Sequence, residues 1–295
     1  MMKFNCEIAI YPRFKKGSGF NKDFDDLICG VTKRVKNIFE IEEKSENMIR
    51  RLYFGSDSCI KQFYRSLPPL NELRHLKEEG YDITIVTPPL FETEIKKIFD
   101  CLMKIQDKVG EIEVVINDFG FAFYLKEKFF EKKILGVLLN KSLRDPRITM
   151  LFDSVITDKK DLFSMAPFSS QYFKNVLLEF SIDGIEFDSL IQGIDTKSFW
   201  KKTFFGIIHF PYLHVTKGYS CFWAGYYKKY GKFISDNKEF CNYDCERFGF
   251  EIEDGKYKYK MVGNQVLFPV KECVLKKILD DDCENFFKRI VFNYI

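Results

Sequence analysis

The chain contains no apolar run of the ~18 residues that a helical membrane span needs. Its first residues, MMKFNCEIAIYPRFKK, form no basic leader with a long apolar core and a small-residue cleavage site. A cytoplasmic protein is expected. No His-Glu-x-x-His motif, no Gly-x-Ser-x-Gly elbow and no compelling Ser/His/Asp order occurs, which leaves zinc-peptidase and serine-hydrolase chemistry without its residues. Charge of one sign is not concentrated either. Lys and Arg number 46 against 43 Asp and Glu, a net of +3, whereas a dedicated nucleic-acid binder usually carries a basic face. No internal repeat or low-complexity linker divides the chain, so residues 1–295 read as one domain.

What is present is an ordinary globular composition, 46% apolar and 30% charged, long enough to bury a large core. The 33 Phe accompany abundant Lys and Ile and read as a compositional bias, not a stacking surface. Nine Cys are an odd number, and a reducing compartment disfavours disulfides. Some are therefore expected as buried thiols and others as metal ligands.

Short apolar runs alternate with helical patterns, the signature of βαβ units and a parallel sheet. The predicted strands are Glu7–Ile10, Leu52–Phe54, Ile83–Val86, Val114–Ile116, Ile134–Leu139, Gly184–Phe187 and Phe204–His209. The clearest helix is Glu94–Val109, with Ile95, Ile98, Phe99, Leu102, Ile105 and Val109 on one stripe, Thr93 as cap and Gly110 after its end. Asp145 before Pro146 reads as a cap and first-turn proline. The fold expected is α/β, a TIM-like (β/α) barrel, with seven of its strands identified and its closure left open. Residues 1–220 supply its core. Residues 221–295 add a cysteine-bearing loop, a small antiparallel β extension (Phe248–Glu253, Tyr257–Met261, Gln265–Phe268) and a terminal helix over Val274–Lys288. Residues 13–48 look irregular and are placed over one end of the barrel.

In a parallel barrel every strand opens its C-terminal end on one face. Cys59 follows its strand through Gly55-Ser56-Asp57-Ser58, and Thr87 ends the next. Asn117 and Asp118 close another, Asn140 ends Ile134–Leu139, Glu186 lies in Gly184–Phe187, and Cys221 follows Phe204–His209. Loops after strands are polar in any protein, so position alone does not separate a site from a surface. The cysteines do more. Cys241 and Cys245 form a C-x3-C pair with Cys221 a loop upstream, and thiolates are soft donors suited to zinc or iron–sulfur iron. A closed site needs a fourth ligand. Cys59, Cys273 and Cys283 are available, and Cys59 shares the mouth that Cys221 should reach. Cys101, beside Phe99 and Leu102, reads as a core thiol, as do Cys6 and Cys29. The lysines Lys217, Lys228 and Lys229 read as a solvated basic loop.

Several stretches resemble the collagenase-like peptidase family of unassigned catalytic type. The likeness is nearest to its short branch, which contains the iron–sulfur protein of oxygen-independent ubiquinone hydroxylation. Arg51-Leu-Tyr-Phe-Gly-Ser-Asp-Ser-Cys59 is similar to that branch's strand, glycine and first cluster cysteine. Val115-Ile-Asn-Asp-Phe-Gly120, Gly136-Val-Leu-Leu-Asn140 and Gly184-Ile-Glu186 resemble later strand ends. His209-Phe-Pro-Tyr-Leu-His-Val-Thr-Lys-Gly-Tyr-Ser-Cys221, followed by Cys241-x3-Cys245, resembles the family's most characteristic region. The other major branch has a further Cys where Leu213 stands here, which favours Cys59 as the fourth ligand.

The resemblance implies a [4Fe–4S] cluster on Cys59, Cys221, Cys241 and Cys245, with zinc as the alternative metal. It implies a role in, or in support of, oxygen-independent hydroxylation of a small organic or nucleoside substrate, and a partner subunit of the same family. Asp118, Glu186 and His209 are the catalytic candidates. Asn117, Asn140 and His214 are the substrate-binding ones, and both histidines suit proton transfer near neutral pH. The competing role for a His beside Phe210, Pro211 and Tyr212 is a hydrogen-bonded structural one. Two other functions stay open at this point: a peptidase, as the family name suggests, and a non-catalytic protein with a structural four-Cys zinc site.

Overall fold

The computed structural model describes residues 6–12, 20–41, 48–148, 161–164, 170–196, 203–218, 221, 223–224, 241–282 and 285–294. Eight parallel strands close into a barrel: β1 (Glu7–Pro12), β2 (Ile49–Gly55), β3 (Asp82–Val86), β4 (Glu113–Ile116), β5 (Lys132–Leu135), β6 (Gly184–Asp188), β7 (Phe205–Phe210) and, last in the chain, β12 (Phe287–Tyr294). β12 sits between β1 and β7, with Ile8 beside Ile290 and Val291 beside His209. The barrel is therefore complete, with β12 as its eighth strand. The predicted terminal helix stops early, as α8 (Glu272–Asp281), because the chain beyond it supplies the closing strand.

Helices cover the outside. α1 (Phe20–Phe39) lies between β1 and β2, and α2 (Ile60–Ser66) and α3 (Leu70–Glu78) between β2 and β3. α4 (Glu92–Val109), α5 (Phe119–Tyr124), α6 (Asp161–Ser164) and α7 (Gln171–Glu179) complete the described crossovers. Residues 20–39, expected to be irregular, are instead a regular helix whose Phe24, Leu27, Val31, Val35 and Ile38 are buried at helical spacing. α4 buries Ile98, Leu102 and Ile105 as its stripe predicts. It begins one residue before Thr93, so Glu94 makes the N-terminal contact by accepting from Phe91 N at 3.0 Å. Gly110, at φ 96° and ψ −162°, takes an extended positive-φ conformation open mainly to glycine and ends the helix.

The antiparallel sheet has four strands, in the order β8 (Tyr212–Lys217), β11 (Gln265–Pro269), β10 (Tyr257–Val262) and β9 (Phe250–Asp254). β8, unforeseen from sequence, follows β7 after Pro211 alone. The sheet thus rises directly off the barrel mouth before α8 and β12 bring the chain back.

Two apolar cores result. The larger fills the space between strands and helices. The smaller fills the barrel with Ala9, Tyr11, Tyr53, Val86, Val115, Ile134, Ile207 and Val291. These residues alternate with outward-facing ones along each strand, as the period of two requires. No helix among the described residues is long and apolar enough to cross a membrane.

Candidate functional site at the barrel mouth

Cys59 is placed by a tight loop at the end of β2. Gly55 has φ 101°, and a Cβ there would stand 2.3 Å from Val86 O, so only glycine permits the turn. Ser56 Oγ then accepts from Ser58 N at 3.3 Å and from Cys59 N at 3.2 Å. The antiparallel sheet grips this loop from the other side. Gln265 Nε2 donates to Asp57 Oδ1 at 2.7 Å, Asn264 Nδ2 donates to Ser58 O at 2.9 Å, and Lys217 Nζ pairs with Asp57. Cys221 lies four residues beyond β8. Tyr243, left-handed at φ 60°, stands between Cys241 and Cys245, and Cys245 lies within a one-turn 3-10 helix, Asp244–Glu246.

Burial pushes Cys245 up to about 12, and Cys221, Cys241 and Cys59 push it in the same direction. Burial also raises Cys221, against backbone N–H groups of Ala224 and Trp223 that stabilise its thiolate, while Cys59 and Cys241 add to the rise. Such thiols are poor nucleophiles as they stand. A cation among them would reverse the sign, since coordination favours the thiolate. Among the described residues no group of three or more His, Cys, Asp or Glu is arranged to hold a metal ion. In donor type thiolates suit a cluster, and two amides near Cys221 match the hydrogen bonds such sulfurs accept.

The remaining thiols are elsewhere. Cys273 is exposed on α8, and Cys29, expected in the core, is exposed on α1 because it falls off the buried stripe. Cys101 packs on the core, and Cys6 does too while donating to Phe287 O at 3.3 Å. Cys283, Lys228 and Lys229 lie outside the described residues.

Below the thiols, His209 and Glu186 occupy the upper barrel. His209 Nδ1 bonds Asn293 Oδ1 at 3.0 Å, and Nε2 faces Glu186 Oε1 at 3.1 Å without the alignment of a hydrogen bond. Burial alone would lower the imidazole. Glu186 and Asn293 outweigh it, and the net shift is upward. Asn293 Nδ2 is buried with no partner.

His214 has a separate setting. Nδ1 lies 2.6 Å from Asp188 Oδ1 and Nε2 lies 3.6 Å from Asp57 Oδ2. Burial, then the Lys217 ammonium, depresses it to about 4. The neutral ring donates Nδ1–H to Asp188. That carboxylate, with Arg144 Nε 2.8 Å from its other oxygen, is held well below the carboxylate range in spite of burial. Lys217, read from sequence as a solvated lysine, has a side chain only 2% exposed. Strand β8 turns it inward onto Asp57.

The other sequence candidates bond mainly to backbone. Asn117 donates to Thr87 O at 3.0 Å and accepts from Leu138 N at 3.1 Å, in space that Gly136 leaves open. Asp118 caps α5 by accepting from Phe121 N at 2.9 Å, and it also accepts from Leu90 N. Asn140 donates to Glu186 O at 2.9 Å and accepts from Ser142 Oγ. Asp57, Asp188, Arg144 and Asn293 were not singled out from sequence. Asp188 had a signal, because its two-residue spacing from Glu186 puts both on one strand face.

No family model, no curated protein and no solved structure matches this chain.

Proposed function

We propose that this chain binds an iron–sulfur cluster, of the [4Fe–4S] type, through Cys59, Cys221, Cys241 and Cys245. It acts in or supports oxygen-independent hydroxylation of a small organic or nucleoside substrate, together with a partner subunit of related sequence. One observation carries the metal reading: three thiol-bearing segments meet at the open end of a parallel barrel, where Asn264 and Gln265 hold the Cys59 loop, Gly263 lies beside Cys245, and Lys217, four residues before Cys221, pairs with Asp57. The reaction class rests on the resemblance of the strand ends and of the His209–Cys245 region.

A bound cluster supplies one-electron transfer. The protein supplies the rest. The Gly55–Ser58 loop, clamped by Gln265, Asn264 and Lys217, fixes the sulfur of Cys59 relative to the arm bearing the other three. His209 holds a proton between Glu186 and Asn293, and the unpartnered Asn293 amide gives that pocket a spare donor. His214 and Asp188 brace β6 against β8 beside the same loop. The peptidase reading gains nothing from these groups, since burial raises the thiols of Cys221 and Cys245 and all four sulfurs are assigned to the cluster.

Anaerobic purification with iron, sulfide and zinc analysis tests the proposal. Brown protein with iron and acid-labile sulfide in equal amounts is expected. Cys59→Ser should lose the cluster and Cys273→Ser should keep it. Colourless protein with one zinc and no sulfide, or a full cluster in Cys59→Ser, would overturn it.

A further inference from the structure

Arg65 lies on α2, six residues beyond Cys59, and reaches across to the segment that carries Cys241 and Cys245. Its Nη2 donates to Glu246 Oε2 at 2.8 Å while Nε donates to Glu246 Oε1, a two-point fork. The flat face of the same guanidinium covers the Tyr243 ring at 4.2 Å. One side chain thus engages the residue between the two thiols and the residue just after them. Both partners of the fork are mostly buried, with side chains 22% and 12% exposed. Bidentate geometry with partial burial is the case in which an ion pair contributes measurably.

Tyr243 needs such a hold. Its φ of 60° is the left-handed conformation, which costs an L residue ~1–2 kcal/mol. It is at this residue that the chain bends between Cys241 and Cys245.

We propose that Arg65 is a positioning residue for the cysteine site: it locks the 241–246 arm onto α2 and fixes a positive charge over Tyr243, between the two cysteines of that arm. This rests on the cluster reading above for its purpose, but not for its geometry. A lysine cannot replace it fully, because an ammonium offers neither fork nor plane. A fixed cation next to a cluster thiolate favours the more negative, reduced state, so it raises the reduction potential.

Arg65→Gln and Arg65→Lys separate the two effects, each made in the full chain and checked for an unchanged far-ultraviolet spectrum. Backbone hydrogen exchange of residues 241–248 is measured in the metal-free protein. About tenfold faster exchange is expected in both variants, the loss of a charge-assisted fork. The midpoint potential is then measured on cluster-loaded protein: Arg65→Gln should fall below the parent and Arg65→Lys should stay close to it. Unchanged exchange in both variants overturns the clamp. An unchanged potential in Arg65→Gln overturns the role of the charge. A parent protein that takes up no iron or sulfide defeats the cluster reading instead, while the exchange measurement still decides the clamp.

Discussion

The two ends of the barrel are both polar and both buried, yet they are built on different plans. At the floor, where the strands begin, Arg51 and Arg289 are shared among four acids. Arg51 donates to Glu7 at 2.8 Å, to Asp82 at 3.2 Å and to Glu131 at 3.5 Å, and Arg289 donates to Glu7 at 2.6 Å and to Glu113. Thr84 and Tyr53 take up remaining donors and acceptors. Apart from one oxygen of Glu131, these side chains have their hydrogen bonds. At the mouth, Glu186 faces His209 at 3.1 Å and Arg144 faces Asp188 at 2.8 Å as ion pairs without an aligned hydrogen bond, Asn293 Nδ2 has no partner, and the cysteine-bearing segments stand above them. A saturated network holds a fold together. An unsaturated one at the C-terminal face of a barrel is where ligands and chemistry are accommodated.

The largest effect that separates the ends is expected at the floor. Arg289→Met removes a cation from Glu113, which is fully buried, and should cost about 3–5 kcal/mol in a urea titration. The double variant Arg289→Met/Glu113→Leu should recover most of that loss, because an apolar pair of similar size needs no compensation. Cluster content per folded molecule should not change in either protein. If Arg289→Met lost metal while remaining folded, the division between floor and mouth would be wrong.

The next effect belongs to the mouth and depends on pH. His214, facing Asp188, Asp57, Lys217 and Arg144, has its pKa lowered to about 4. Between that value and the ordinary 6.5 the unfolded chain binds a proton that the native ring refuses, so stability is present above pH 6.5 and lost as pH falls towards 4. The linkage amounts to about 3 kcal/mol. His214→Gln, which can still donate to Asp188, should flatten this acid limb. Equal slopes in parent and variant from pH 6.5 to 4 would remove His214 from the account.

The parallel strands, the amphipathic α4 and the placing of polar groups at strand ends were all legible in the sequence, because each is written in local spacing. What escaped it was of two kinds. β8 was hidden behind Pro211 in a stretch read as the approach to Cys221. β12 was absorbed into the end of a helix pattern that Asp281 and Asp282 in fact terminate, Asp282 accepting from Phe287 N at 2.8 Å as the strand starts. The second kind is partnership at a distance. Lys217 with Asp57 and Arg65 with Glu246 join residues 160 and 181 positions apart, and no periodicity records that. The thiols stood out in the sequence because their chemistry is unusual. The groups that arrange them are common charged residues, indistinguishable in sequence from a solvated surface.

The smallest expected effect is also the most direct probe of the mouth. His209 is fully enclosed, and burial by itself would depress its pKa; the Glu186 carboxylate and the Asn293 carbonyl reverse that, and the ring titrates above the ordinary 6.5. A raised histidine contributes stability in full below that value and loses it as pH rises through the folded pKa. Glu186→Gln keeps the shape and removes the charge, so burial should then prevail and the midpoint, followed by NMR of the ring protons, should move down. The alkaline decline in stability due to this residue should disappear with it. A midpoint that stayed above the ordinary value in Glu186→Gln would mean that Asn293 alone sets the proton. The pocket would then be a saturated brace like the floor, with no acid–base pair in it.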